Sequence, residues 1–302
     1  MKKLGRSSLS PRVEIPILLF LWRWKVSTTS GVYMRFKPEF RWTVYTAYSR
    51  MKRLKVKGFV EFKYSDNCVF KVWTLSQRGF KAISNKLTLL REDGYLSENI
   101  EHDIYVMAAH NGEWLPRNSV DDVKTITEQE LRRIYAEGLP KEIPSVTDHR
   151  PDGYWLFSGE NRRKIVALEV ELNRKSSEDY VDVGEFYNSN ASVESVLWIV
   201  QSQALANKIV SAASKNLGRY RDIHNFILLT DFIENGWDST VFLGNFRLNK
   251  MQEFLNKHRV KQTSYRPSTN RKHVCTRAIL DSRVIRYESN ACDNIKKSEI
   301  GN

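Results

Sequence analysis

The stretch from Pro151 to Lys175, PDGYWLFSGENRRKIVALEVELNRK, constrains this chain more than any other part of it. Its second half, Ile165 to Leu172, is a nearly continuous apolar run with the length of a strand buried on both faces. Glu169 and Glu171 nevertheless stand inside that run, two positions apart and so on one face. Desolvating an ionised carboxylate without a partner is expensive, so such a strand hands its acids to a cation, a metal ion or water in a cleft.

A hairpin turning across Ser158 to Arg163, centred between Glu160 and Asn161, sets Asp152 at the mouth of its first strand opposite Glu169. The two Cβ atoms are then about 4.5 to 5.5 Å apart. A slip of one residue would carry one acid to the other face. Two such acids repel each other unless a cation lies between them, and Mg²⁺ or Mn²⁺ with oxygen ligands answers that need. An ion so held polarises a scissile phosphate and lowers the pKa of an attacking water. Salt bridges to Arg162, Arg163, Arg174 or Lys175 are the structural alternative. His102, beside Asp103, invites an acid/base role, but a single histidine on a helix also serves as a core or capping residue. His149, near Asp152, is a supporting candidate.

The 302 residues, 41% of them apolar, suffice for a substantial core, and the length suggests two domains. The formal charge of +13 is segregated. Residues 1–90 hold 19 Lys/Arg against 4 Asp/Glu and residues 257–302 hold 11 against 4, so basic ends flank an acidic centre. With Trp22, Trp24, Trp42, Tyr45 and Tyr48 among the basic residues, a polyanion such as nucleic acid is the expected partner, ahead of an anionic membrane surface. The apolar run Ile15 to Trp22 is eight residues long, against about 20 for a spanning helix. With Glu14 before it and no small-residue cleavage site after it, the run is expected to be a core helix, and the protein cytoplasmic. Cys68, Cys275 and Cys292 follow neither a disulfide nor a zinc pattern.

Pro16 opens the first helix, which ends near Trp24. A second short helix is expected from the Ser27 to Ser30 caps through Met34, broken at Lys37-Pro38, and a third begins near Arg41. Val44, Tyr48, Met51 and Leu54 give the third helix its apolar face. Two strands follow, Phe59 to Tyr64 and Val69 to Leu75, joined across Ser65-Asp66-Asn67. Three helices and a hairpin are the order of a winged helix, a module that lays its third helix in the major groove and its wing on the backbone. Leu75-Ser76-Gln77-Arg78-Gly79 resembles the strand-to-helix exit of winged-helix regulators. Arg41, Tyr45, Arg50 and Arg53 are the expected groove or phosphate contacts, with Lys63 and Lys71 on the wing; a solvated helix face is the other use of such residues.

Leu87 to Asn99 reads as a connector to a helix around Glu101 to Ala109. Residues 111–150 are polar and expected to be irregular except for a helix near Glu128 to Glu137. After the hairpin come a helix at Tyr180 to Asn188, a strand at Val196 to Gln201 and a helix at Ala204 to Ser214. Strands at Phe226 to Thr230 and Val241 to Leu243 and a helix at Lys250 to His258 complete the pattern. Beyond Arg259 a mobile basic tail is expected.

Pro151-Asp152 and Glu169-Val170-Glu171, on neighbouring strands, resemble the motifs of the restriction-endonuclease-like, or PD-(D/E)xK, superfamily. The succession from Glu101 to Ser214 is similar to its αβββαβ core. A winged helix ahead of such a core resembles the replication-relaxation family of plasmids and other mobile elements, over roughly residues 12–245. The resemblance implies an α/β (α+β) protein with a winged helix-turn-helix at 1–90, a nuclease-like domain at 91–258 and a tail at 259–302. It also implies that Asp152 and Glu169 bind Mg²⁺ or Mn²⁺, with Glu101 or Asp103 on the first core helix joining them. Glu171 stands where the superfamily places its catalytic lysine. Lys175 shares parity with Glu169 but lies about 20 Å along an extended strand, and Lys208 or Lys164 is a possible migrated substitute. Gln201 or Gln203 could position a water.

Two functions follow. In one, the winged helix targets double-stranded DNA of a mobile element and the second domain cuts a phosphodiester with Mg²⁺, using Asp152, Glu169, Glu171, Glu101 and Lys175. In the other, the same fold is a non-catalytic regulator or replication accessory, a platform for a homodimer or a partner protein of the element. An RNA-binding or toxin-like nuclease ranks below both.

Overall fold

The computed structural model describes residues 9–66, 69–115, 122–145, 149–159, 163–215 and 222–259, with Thr276, Ile279 and Leu280 beyond them. Over these residues the chain is an α+β protein with ten α-helices and two sheets.

The first helix, α1 (Glu14–Trp24), buries Ile17, Leu18, Phe20, Leu21, Trp22 and Trp24, so the apolar run is a core helix. Glu14 is buried with it, accepting from Ser10 N–H (2.8 Å) and pairing with Lys57 (3.0 Å). Burial alone would raise its pKa; Ser10 N–H, Lys57 and Arg53 lower it on balance. Lys25, with φ of 61°, turns the chain into β1 (Val26–Ser27). The next helix, α2 (Thr29–Phe40), is capped by Thr28 and runs through Pro38 instead of ending before it. Pro38 cannot donate to the Met34 carbonyl, so the helix closes its last turn one hydrogen bond short. Left-handed Arg41 then ends the helix.

Helix α3 (Val44–Val56) starts after its Thr43 cap and buries Ala47, Met51 and Leu54, with Tyr48 leaning on Trp73. Strands β2 (Val60–Tyr64) and β3 (Lys71–Leu75) form the expected hairpin, and β1 joins the far edge of β3. Asn67 and Cys68 of its turn lie outside the described residues. Helix α4 (Gln77–Ile83) is capped by Ser76, which accepts from Gly79 N–H. A Cβ at Gly79 would run into the Phe59 carbonyl, which explains glycine in the Leu75-to-Gly79 exit.

The larger sheet follows α5 (Ile100–Asn111). It contains β4 (Val123–Thr127), which leads into α6 (Glu128–Arg133), then β5 (Gly153–Phe157) and β6 (Lys164–Glu171). Next come α7 (Ser177–Ser189), β7 (Val193–Val200), α8 (Gln203–Ala213), β8 (His224–Leu228), α9 (Leu229–Asn235) and α10 (Met251–His258). The strand order is β4-β5-β6-β7-β8, antiparallel through β6 and parallel from there.

Three further expectations need correction. Strand β4 occupies a stretch expected to be irregular, because only its end, Ile126 and Thr127, is buried and its apolar pattern is short. Thr230, expected in a strand, belongs to α9. Val241 to Leu243 is not a strand; Leu243 alone makes an isolated bridge, with Phe226 of the edge strand.

Alternation along the strands divides the core. Trp155, Phe157, Val166, Leu168 and Val170 face α5 and the N-terminal helices in one continuous apolar cluster. Tyr154, Leu156, Ile165 and Ala167 face α7 and α8. The mobile tail expected after Arg259 lies outside the described residues except at three positions. Ile279 is fully buried, its carbonyl accepts from Thr28 Oγ1 (3.1 Å), and Thr276 is buried beside Gly236. Cys275 and Cys292 lie outside the described residues. Among those residues no helix is long and apolar enough to cross a membrane.

Candidate active site

Strands β5 and β6 pair residues from Gly153 opposite Leu168 to Phe157 opposite Lys164, and Asp152, just ahead of the last pair, donates its N–H to Leu168 O (3.1 Å), one residue out of the ladder's register. The ladder keeps the register expected from a turn centred between Glu160 and Asn161, but it ends at Gly153, so the expected facing of Asp152 and Glu169 lies beyond its last pair. Glu160, Asn161 and Arg162 lie outside the described residues. Glu169 and Glu171 are 7% and 6% exposed, confirming two acids within a buried strand.

Asp152 is held at the end of the sheet. Its Oδ2 accepts from Val170 N–H (2.6 Å), and its Oδ1 lies 3.2 Å from His102 Nε2, which also reaches Val170 O (3.1 Å). Gly153 makes this approach possible: with φ of 154°, its backbone passes so near His110 and the Ile126 carbonyl that no side chain fits. Burial would raise the Asp152 pKa, but His102 and the Val170 N–H lower it on balance. Burial would lower the His102 pKa; Asp152 and Asp103 together raise it to about 10, so the ring is a cation at neutral pH. Asp103 stands 3.6 Å from His102 Nδ1 and pairs at 2.7 Å with Lys25, which also pairs with Glu128 (2.9 Å). A line of charge thus runs from the end of α1 to Asp152.

Glu169 has its own partners. His149 Nε2 lies 2.6 Å from its Oε1, and Tyr187 of α7 donates to the same oxygen. Burial opposes the charged form of His149, and Glu169 raises its pKa on balance. Tyr187 is pushed well above its ordinary pKa by burial and by Glu169, so it remains a donor.

The position of Lys175 requires the clearest correction. The strand ends at Glu171, and Ser176 caps α7 in a box with Asp179. The chain therefore folds back, and Lys175 Nζ lies 2.8 Å from Glu171 Oε2, the salt bridge named as the structural alternative, instead of about 20 Å from the acids. Burial would lower the Lys175 pKa, yet Glu171, Glu169 and Asp152 raise it. Glu171 is raised by burial, with Lys175 offsetting only part of that effect.

Other expected residues lie elsewhere. Glu101 accepts from Tyr105 (3.2 Å) on its own helix. Lys208 donates to the Lys175 carbonyl (2.6 Å) and so supports the fold-back. Lys164 begins β6, at the end of the strand opposite Glu169 and Glu171. Gln203 opens α8, and Gln201 just before it is exposed. Arg163 lies 3.7 Å from Glu142 rather than holding Glu169 or Glu171. Among the described residues no group of three or more His, Cys, Asp or Glu closes around one metal position. Sequence reasoning missed Tyr187, whose only signal is its place on the helix that follows the acids.

On the basic N-terminal face, Tyr45 is 77% exposed at the start of α3 and Arg41 is exposed just ahead of it. Arg50 is half-buried; Arg53 is exposed and 3.7 Å from Glu14. Lys63 lies on β2, and Lys71 on β3 sits over the rings of Phe62 and Tyr64. Compared with protein-family models, curated proteins and solved structures, the chain matches none of them.

Proposed function

We propose that this chain is a DNA-binding protein whose larger sheet carries a nuclease-like site for divalent-metal-dependent cleavage of a phosphodiester in duplex DNA. The observation that carries the reading is the fold-back of Lys175 onto Glu171, beside Asp152 and Glu169 at the ends of two paired strands. This places a cation beside the acids although Glu171 occupies the position expected for lysine.

The element order supports the same reading. Helix α5, the antiparallel run β4-β5-β6 with the short α6 inserted after β4, helix α7 and the parallel strand β7 resemble the αβββαβ order of a restriction-endonuclease-like core. The order α1-β1-α2-α3-β2-β3, with β1 on the hairpin, is that of a winged helix. On this reading α3 enters the major groove, and Arg41, Tyr45, Arg50, Arg53, Lys63 and Lys71 face DNA.

The donors fit Mg²⁺ or Mn²⁺ in kind. Two carboxylates suffice because Mg²⁺ retains waters and completes its shell with substrate phosphate, so an all-protein cage is not required. Asp152 and Glu169 would hold the ion, which supplies Lewis-acid polarisation of the phosphate and a more acidic water. Val170 N–H and His102 fix the direction of the Asp152 carboxylate, Tyr187 fixes Glu169, and Lys175 presents positive charge where the phosphorane develops.

A second reading has its own support: His102 and His149 already engage Asp152 and Glu169 with positive charge. On that reading the fold is a non-catalytic platform of a DNA-binding regulator or replication accessory, with a second copy or a partner protein on it. Incubation with supercoiled and linear DNA in Mg²⁺ or Mn²⁺ separates the two. Cleavage lost in Asp152→Asn supports the enzyme; intact DNA with tight binding supports the platform.

A further inference from the structure

A cleft of about 240 Å³ lies between the end of α1 and the acid site, with Asp152 on one wall. Its Lys and Arg residues are Arg23, Lys25, Arg132 and Arg150, with His102 beside them. Its acids are Glu98, Asp103, Glu128 and Asp152. Three of the four Lys/Arg side chains are already committed. Arg23 pairs with Glu130 (3.0 Å) and donates to the Thr125 carbonyl; Lys25 pairs with Asp103 and Glu128; Arg132 pairs with Glu98 (2.9 Å). Arg150 has no ion pair or hydrogen bond among the described residues, is exposed, and stands two positions before Asp152. Arg150 is therefore the one Lys/Arg side chain of the cleft without a protein acid beside it among the described residues.

We propose that Arg150 is a phosphate-binding residue of this cleft, receiving a backbone phosphate of the DNA strand presented to Asp152. The inference rests on the nucleic-acid reading above and adds the residue that brings the phosphate to the site. Guanidinium geometry suits it: the planar fork binds a phosphate through two oxygens, whereas a lysine supplies only a point charge. The other cleft cations, turned toward protein acids, hold the walls in place around it. A phosphate bound here sits beside Asp152 without displacing any ion pair of the cleft.

The test is metal-free binding of a fluorescent duplex by the full chain, measured by anisotropy across a series of salt concentrations. Each duplex phosphate contact contributes about 0.9 to the slope of log K against log salt. Arg150→Gln is expected to reduce that slope by about 0.9 and to weaken binding at low salt, while Arg150→Lys keeps most of the slope. Melting temperature and circular dichroism should remain those of the wild type, since Arg150 supports no protein contact. An unchanged slope in Arg150→Gln, with wild-type binding intact, overturns the role of Arg150 and leaves the DNA reading standing. A reduced slope in a protein that cuts nothing upholds Arg150 and removes the cleavage reading. No salt-dependent DNA binding by the wild type overturns both.

Discussion

Lys175 Nζ lies 2.8 Å from Glu171 Oε2, although the strand carrying Glu171 ends four residues before the lysine. Ser176 and Asp179 close the first turn of α7 there, and Lys208 and Tyr180 hold the backbone of Lys175. If this lysine stabilises the developing phosphorane, Lys175→Met lowers kcat by about 10²- to 10³-fold. DNA affinity should hardly change. Single-turnover cleavage beside anisotropy would show this; equal loss of binding and cleavage would make Lys175 a DNA contact instead.

Glu171 shows the cost of such a site. Its pKa is raised by burial from the ordinary 4.5, more than Lys175 offsets. A raised acid contributes its stability below the unfolded pKa and loses it as pH rises through the folded one. Glu171→Gln is therefore expected to melt higher than wild type at pH 8 and alike at pH 4, while losing cleavage. Melting curves at the two pH values decide; a lower Tm at pH 8 would mean that the Lys175 pair outweighs burial.

His102 makes the opposite contribution. Burial is outweighed by Asp152 and Asp103, so its pKa rises from 6.5 to about 10. Its stabilisation is complete below pH 6.5 and lost as pH rises through about 10. Wild-type Tm should fall over that interval, and His102→Gln should flatten the fall. At pH 7, His102→Ala leaves Asp152 without its cationic partner, while Asp103 keeps Lys25, and should cost about 3 kcal/mol. Denaturant unfolding measures this directly, and a neutral substitution would contradict the pairing.

Gly153 is constrained from two sides. Gly153→Ala forces a Cβ against His110 and the Ile126 carbonyl at a φ of 154°. A loss of about 3 kcal/mol is expected from overpacking against backbone, with Asp152 displaced as well. Chemical denaturation of the variant tests this, and wild-type stability would show that the strand end can shift.

Ile279 connects the chain's late residues to the N-terminal core. It is fully buried, and its carbonyl accepts from Thr28. Ile279→Ala should cost about 2 to 4 kcal/mol, the usual cost of emptying a core aliphatic site. A mobile tail would tolerate the change, and thermal unfolding distinguishes the two outcomes.

The sequence made the hairpin register legible from Gly153 to Phe157 because the turn's centre fixes every pair, while Asp152 lies beyond the last of them. The apolar run and proline placement located α1, and glycine with serine located the exit into α4. What escaped depends on contacts distant in sequence. His102 reaches Asp152 across 50 positions of chain and Tyr187 reaches Glu169 across 18. Strand β4, little buried, lacked a long apolar pattern. The fold-back of Lys175 escaped because strand parity was extended past Glu171, although Ser176 to Asp179 already contained the capping signal that ends the strand.

The most direct measurement is cleavage of a labelled duplex in Mg²⁺ or Mn²⁺ by the wild type, Asp152→Asn and Glu169→Gln, each first shown to be folded and to bind DNA. The account predicts metal-dependent strand scission by the wild type and at least a hundredfold less in either variant. Intact DNA with all three proteins, or equal cleavage by all three, would contradict it.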